Sequence, residues 1–277
     1  MKILKYIGLI LVVAFTVSCE KNQIEYMTDS LGDKAEFQLD YFVPVTATST
    51  NYIYKVEVNG QLIANSKAPL STYNAIPNGA VSLYYSVDPG TVNLKLYKGT
   101  SEELVYDQDV TLAVGKQSVF VYDFSSSPIV FDSGYPYSAN LTTDTDSTCY
   151  VKFFNFLYET EGVPCDLKLQ YQYVDPRTSE MVNIGSPVSF GETTGWQPVK
   201  VLKSDFNSSG SVRVDYKIKV VDANGAITGD LQLWNSSKKY VSYSDYWTEY
   251  IGRRYQHVIG GMRSAVPVAS VKQFTIL

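Results

Sequence analysis

The stretch Ser211-Val-Arg-Val-Asp-Tyr-Lys-Ile-Lys-Val-Val-Asp-Ala-Asn-Gly-Ala-Ile-Thr-Gly-Asp-Leu-Gln-Leu233 decides the fold class. Val212, Val214, Tyr216, Ile218 and Val220 alternate with Arg213, Asp215, Lys217 and Lys219. A period of two residues is that of a strand with one dry face and one wet face. Asn224-Gly225 accepts the positive φ angles of a tight hairpin, after which the chain returns toward Leu233. The first half holds a similar unit: Val92, Leu94 and Leu96, a turn at Lys98-Gly99, then residues 104–112. One kind of β unit is used twice.

Outward from these units the same pattern recurs. From Ala35, Phe37, Leu39 and Tyr41 alternate with Gln38 and Asp40. Tyr52, Tyr54, Val56 and Val58 follow, and Asn59-Gly60 turns the chain into Gln61-Leu62-Ile63. Residues 80–87 read as one strand, ended by Asp88-Pro89-Gly90, since proline and glycine stop a ladder. Residues 92–97, 103–112 and 117–124 complete about seven strands. No helical period of useful length occurs in this half.

Residues 125–148 change character, becoming rich in Ser, Thr, Pro, Gly and Asp. The strand pattern restarts at Cys149. Residues 149–156 align loosely with 35–42, about 114 positions earlier, and 166–173 then take the place of 54–58. The expected organisation is a leader at 1–19, a tether at 20–34, a β-sandwich at 35–131, a linker at 132–147 and a second β-sandwich at 148–277. The fold class is all-β: two antiparallel sandwiches in tandem, of immunoglobulin-like or transthyretin-like kind.

Lys2 and Lys5 precede an apolar run of about 11 residues, 7–17, against the ~20 that a membrane-spanning helix needs. A basic start, a short apolar segment and a small residue before the cut describe a secretory signal. Ser18-Cys19 resembles a bacterial lipobox, with Thr16 where that pattern usually has Leu. The resemblance implies that Cys19 is lipidated and becomes the new N-terminus, so that the first partner is a membrane. Of the three cysteines this leaves Cys149 and Cys165. Each opens an apparent strand, and in a direct hairpin Cys165 would lie far from Cys149, beyond the ~6 Å a disulfide tolerates. Two separate buried thiols are favoured over a bridge.

The formal charge is −5, or −7 once Lys2 and Lys5 leave with the leader. No long basic run marks a nucleic-acid partner. Nothing in the sequence marks an enzyme. A Ser-His-Asp or Cys-His system would have to use His257, the one histidine, which reads as a surface or edge residue. No Gly-x-Ser-x-Gly elbow and no glycine-rich phosphate loop is present. Zinc sites with two histidines are excluded, and the spacing of Cys149 and Cys165 fits no zinc pattern. Asp144-x-Asp146 lacks the glycine and closing glutamate of a calcium loop. No metal and no cofactor are expected.

The unusual feature is tyrosine, with 23 copies beside 12 Phe and 3 Trp. The densest bunch is Tyr240, Tyr243, Tyr246, Trp247, Tyr250 and Tyr255. Such rings serve ordinary sheets through cross-strand pairs. They also stack on sugars, and here Ser, Asp and Glu are interleaved with them. The candidate ligand site is Tyr243, Asp245, Tyr246, Trp247, Glu249 and Tyr250, with Trp247 the central anchor and the chain leaving its strand as a loop from Tyr246 onward.

Lipobox, polar tether and tandem alternating strands together resemble the surface lipoproteins of Bacteroidetes-type bacteria. Val56-Glu-Val-Asn-Gly60 and, downstream, Val110-Thr-Leu-Ala-Val-Gly-Lys-Gln-Ser-Val-Phe-Val121 look like a module of unknown function common in them. The match covers 35–124 better than 149–277. It brings no catalytic residues. It implies a lipid-anchored outer-membrane protein, on the cell surface rather than the periplasmic face. Asp29-Ser30-Leu31 and Asp146-Ser147-Thr148 resemble the O-glycosylation acceptors of such bacteria, which would make Ser30 and Ser147 modification sites in linkers. The role that fits is non-catalytic: a binding or scaffold protein whose partner is a saccharide or another surface protein. The alternative is a structural or adhesive subunit of a fimbria-like assembly joined by strand exchange through residues 268–277.

Fatty-acid labelling of whole cells tests the anchor. The wild-type chain takes up label and Cys19→Ala does not; equal labelling of the two would remove the lipoprotein reading.

Overall fold

The alternation at 211–221 forms one strand. In this computed structural model, which describes residues 31–64, 67–78, 81–134, 146–250 and 253–276, Val214, Tyr216 and Ile218 are buried while Arg213 and Asp215 are exposed. Val220, half-buried, packs against the core and Val221 is buried as well, while the partner strand carries one extra residue, Thr228, between Ile227 and Gly229. The bulge lies in the partner, so the alternation of 211–221 is not turned over.

In chain order the first half holds β1 (Ala35–Tyr41), β2 (Ile53–Val58), β3 (Gln61–Ala64), β4 (Asn74–Ile76), β5 (Val81–Ser82), β6 (Tyr85–Val87), β7 (Gly90–Lys98), β8 (Glu103–Leu112), β9 (Gly115–Val121) and β10 (Ile129–Asp132). The second half holds β11 (Asp146–Thr160), β12 (Val163–Pro164), β13 (Lys168–Val174), β14 (Met181–Asn183), β15 (Thr193–Leu202), β16 (Ser211–Val221), β17 (Ile227–Asp230), β18 (Gln232–Trp234), β19 (Tyr240–Ser242), β20 (Ser244–Tyr250), β21 (Arg254–Met262) and β22 (Ser270–Ile276).

The first sandwich packs the sheet β3-β2-β7-β8 on the sheet β10-β9-β1-β4, with β6 also paired to β1. Phe37, Leu39 and Tyr41 meet Val56, Leu94, Leu96 and Tyr106 in its core. Asn59 and Gly60, at φ 51° and 76°, make the expected turn between β2 and β3. Two expectations are corrected. A register shift between Ile53 and Lys55 makes Ile53, Val56 and Val58 the buried face of β2, leaving Tyr54 half-buried. Residues 80–87 are not one strand: β6 pairs with β1, whereas β5 pairs in parallel with β22 in the other half of the chain.

The second sandwich packs β12-β11-β21-β22-β5, with β15 also on β11, against β14-β13-β16-β17, with β20 also on β16. Phe153 and Tyr171 stack across its core with ring centroids 4.5 Å apart and planes 8° from parallel. The sandwiches are mainly antiparallel, but β1 runs parallel to β9, and β11 parallel to β21. The loosely aligned segments at 35–42 and 149–156 thus take matching places, each beside a late strand of its own half.

Cys19 and Ser30 lie outside the described residues. The expected linker at 132–147 is shorter than its composition implied. Asp132 ends β10, and β11 already begins at Asp146. Ser147 therefore sits in a strand, paired with Val201, rather than in a linker. Cys149 and Cys165 are free, buried thiols. Cys165 bonds through its backbone to Leu157, eight positions along β11 from Cys149.

β1, β9, β11 and β21 bury both faces, because the two sandwiches lie sheet on sheet. Phe42, Phe120, Phe154, Phe156, Val258 and Phe274 form a core of their own between the middle sheets. Phe120 and Phe156 stack with centroids 4.6 Å apart. Beyond these rings the contact turns polar. Ser118 Oγ is 2.6 Å from Ser133 Oγ and donates to Gln256 Oε1 at 3.4 Å. Lys152 Nζ donates to the Asp132 carbonyl, and burial lowers its pKa to about 8. Gln38 and Asp40 are wholly buried with no side-chain hydrogen bond among the described residues. Burial holds the Asp40 carboxyl well above the usual carboxylate range, so that it stays neutral.

The middle sheets meet tightly at Gly260, where a Cβ would stand 2.6 Å from Phe42 Cδ1. Gly260→Ala is expected to cost about 1–3 kcal/mol through overpacking. Phe42→Leu should cost less in the Gly260→Ala background than in the wild type. Denaturant melts of the four proteins check this, and simple additivity would refute the contact.

Candidate functional site

β20 does not leave the sheet as a loop. It stays paired with β16 from Ser244 to Tyr250, in the register Asp215↔Tyr246, Arg213↔Thr248 and Ser211↔Tyr250. Strand alternation then divides the six predicted residues. Trp247 and Glu249 point inward and are each 1% exposed. Tyr246, Thr248 and Tyr250 face outward; Tyr246 is 44% exposed. Asp245 lies exposed at the strand's start, and Tyr243 is half-buried.

Trp247 is therefore a core residue, not a surface anchor. It packs among Tyr171, Tyr216 and His257, with His257 edge-on at 5.0 Å. Its Nε1 donates to Glu249 Oε2 at 3.1 Å. The Cys149 thiol lies beside the same carboxyl, and burial pushes the Glu249 pKa up to about 8. His257 also differs from its expected edge position. It lies in β21, between β11 and β22, and is fully buried. Its Nδ1 is 2.7 Å from the Tyr171 hydroxyl, and burial lowers its pKa to about 3. A neutral, enclosed imidazole is not positioned as a base toward solvent.

On the outside, Arg213 lies over one face of Tyr246, with its guanidinium carbon 3.9 Å from the ring centroid. The same guanidinium holds Asp215 through Nε at 2.9 Å and Nη2 at 2.7 Å. Arg253 covers Tyr250 in the same way at 4.4 Å. Asp245 Oδ1 accepts the Tyr246 amide at 2.8 Å. Asp245 Oδ2 lies 3.5 Å from the hydroxyls of Tyr216 and Tyr243, which are 3.2 Å from each other. Tyr243 also accepts the Val271 amide at 3.1 Å, and Gln273 Nε2 donates to the Tyr246 carbonyl at 2.9 Å. These bonds fix β20 to β22.

Two open cavities share Asp245 and Tyr246. One, of about 310 Å³, adds Arg213, Asp215, Lys217 and Ser244. The other, of about 350 Å³, adds Thr248, Tyr250, Tyr255, Gln273 and Thr275. Arg213, Asp215, Lys217, Gln273 and Thr275 were not marked by the sequence reading. Arg213, Asp215 and Lys217 stood in plain view as the wet face of the 211–221 strand. What joins them to Tyr246 is the non-local register of β16 on β20. Among the described residues no cluster of three or more His, Cys, Asp or Glu side chains is placed to hold a metal ion.

No protein-family model matches the chain, and no curated protein matches it. Among solved structures, that of a candidate cell adhesion protein from Bacteroides fragilis NCTC 9343 is similar at 10% identity and a TM-score of 0.21, over 87% of this chain and 97% of that one. A likeness at that score identifies neither ligand nor role.

The buried groups give the second sandwich a pH signature. Glu249 keeps its proton in the fold up to about pH 8, against 4.5 for a free glutamate, so the native state binds the extra proton and stability falls as pH rises through that window. His257 stays neutral down to about pH 3, against 6.5 when free, so its contribution falls as pH drops through that window. The two slopes oppose each other where they overlap. Above 6.5, the ordinary histidine value, the Glu249 slope stands without the His257 one. Glu249→Gln keeps an acceptor for Trp247 and removes the titration. Its melting temperature should fall less than that of the wild type between pH 6.5 and 8, and parallel profiles would refute the assignment.

Proposed function

We propose that the chain is a non-catalytic protein of the cell surface, anchored in the outer membrane through lipid on Cys19, and that its second sandwich binds saccharide on the outer face of β20. The observation that carries this reading is Tyr246. It is an exposed ring on a regular strand, capped on one face by Arg213 and flanked by Asp215 and Asp245. The apolar C–H face of a pyranose fits against such a ring. Carboxylates, a lysine, a glutamine and threonine hydroxyls around it offer partners to sugar hydroxyls. The Gln273 bond and the strand pairing fix the Tyr246 backbone, and the guanidinium cap holds the ring, so little side-chain freedom is lost on binding.

Strand exchange finds less support. Residues 270–276 form β22, which is hydrogen-bonded to β21 on one side and β5 on the other. Donating that strand to a neighbour would break both ladders.

A glycan array on the purified chain is the test, followed by two variants. Tyr246→Ala should lose about 2 kcal/mol or more of binding, a ~30-fold drop, if the ring is a hot spot. Its melting temperature should stay close to wild type, because the ring is exposed. Trp247→Ala should instead cost about 3–5 kcal/mol of stability. An array silent with folded protein, or Tyr246→Ala binding like wild type, would overturn the proposal.

A further inference from the structure

We propose a second binding site, for a compact organic cation, in a cavity at the junction of the two sandwiches. The cavity measures about 280 Å³, at the small end for a ligand pocket. Its walls include Val43, Pro44, Tyr122, Phe124 and Tyr158. These come from the chain just after β1, just after β9, and from the end of β11, so both halves contribute.

The walls are preformed. The Tyr158 hydroxyl donates to the Tyr122 carbonyl at 2.9 Å. The Tyr122 ring packs on Phe156 and Phe190 at 5.8 and 5.7 Å. Phe124 packs against Tyr41 at 6.0 Å.

The charge of the lining names the ligand class. Asp123 and Glu161 both line the cavity, and no lysine or arginine does. Asp123 Oδ1 accepts the amide and hydroxyl of Ser125, both at 2.8 Å, and the carboxylate has no ion-pair partner among the described residues. Glu161 is exposed and has neither a hydrogen bond nor an ion pair among them. Aromatic side chains and two carboxylates without an ion-pair partner among the described residues make a negative, partly apolar concavity. An anion is repelled there, and a neutral apolar molecule gains nothing from the two carboxylates. A bare divalent ion needs more oxygen ligands than two carboxylates supply. An ammonium group with an apolar skin meets both features. Phe124 already attracts one cation of its own chain, Lys98 Nζ, at 6.0 Å from its centroid.

Choline, titrated into the purified full chain by calorimetry, is the probe, and its uncharged carbon isostere is the control. Choline should bind about 3–30-fold more tightly than the isostere, the range expected of a cation over aromatic faces. Glu161→Gln, at an exposed position, should weaken choline severalfold with no change in melting temperature, and Phe124→Leu should weaken it as well. Absence of choline binding, equal affinity for the isostere, or an unaltered affinity in Glu161→Gln would each overturn the proposal. The Tyr246→Ala variant should bind choline like wild type.

Discussion

Burial of the middle strands on both faces is the constraint from which the rest of the structure follows. In an ordinary sandwich half of each strand's side chains meet water. In β1, β9, β11 and β21 each side chain must match either its own core or the facing sandwich. β11 meets the demand with alternation inside a hydrophobic run. Val151, Phe153 and Leu157 serve the second core, while Phe154 and Phe156 serve the contact with the first. Polar side chains on these faces are enclosed too. A buried polar group without a partner costs about 1–3 kcal/mol, so Asp40 and Gln38 are held in place by the packing around them rather than by their own bonds. Asp40 responds by keeping its proton.

With the middle sheets occupied on both sides, the sheet faces that meet water among the described residues are those of the two outer sheets and of the small β18-β19 pair. The Tyr246 face belongs to one of these outer sheets. Its side chains are carried by paired strands, and its floor is the core built around Trp247. The residues first grouped as one site thus do two jobs. Trp247 and Glu249 hold the strand from below. Tyr246, Tyr250 and Asp245 present chemistry above, with Arg213 and Asp215 supplied by the neighbouring strand.

Local features were legible in the sequence, and features set by distant pairing were not. The hairpin of β7 and β8, the Asn59-Gly60 turn and the face of β16 as far as Ile218 follow from alternation and turn chemistry. The bulge after Ile53 shifts the face of β2 by one residue, and no residue type announces it. Strand alternation places Trp247 and Glu249 inward once β20 is known to run on to Tyr250. What hid this was the requirement that the rings of one site share a surface, which a strand continuing past Tyr246 does not allow. His257 reads as a surface or edge residue because its segment looks like the start of a strand, where a lone histidine ordinarily meets water. Gln256 in fact faces the other sandwich, a contact that strand periodicity does not reveal. The departure of β5 to the opposite half lay beyond any local pattern.

β5 has a consequence for how the chain reaches this state. β22 must slot between β21, its close neighbour in sequence, and β5, whose pairing joins Val81 to Thr275. A ribosome releases Val81 long before Thr275. Until the later strand emerges, the short β5 segment has no ladder to join, and the facing edge of β21 stays open. Closure of so long a loop is entropically late and lies on the slow side of folding. The β5 segment therefore stays without a ladder until the last strand is in place, and the edge of β21 stays open until β22 covers it, an interval in which a chaperone has something to protect.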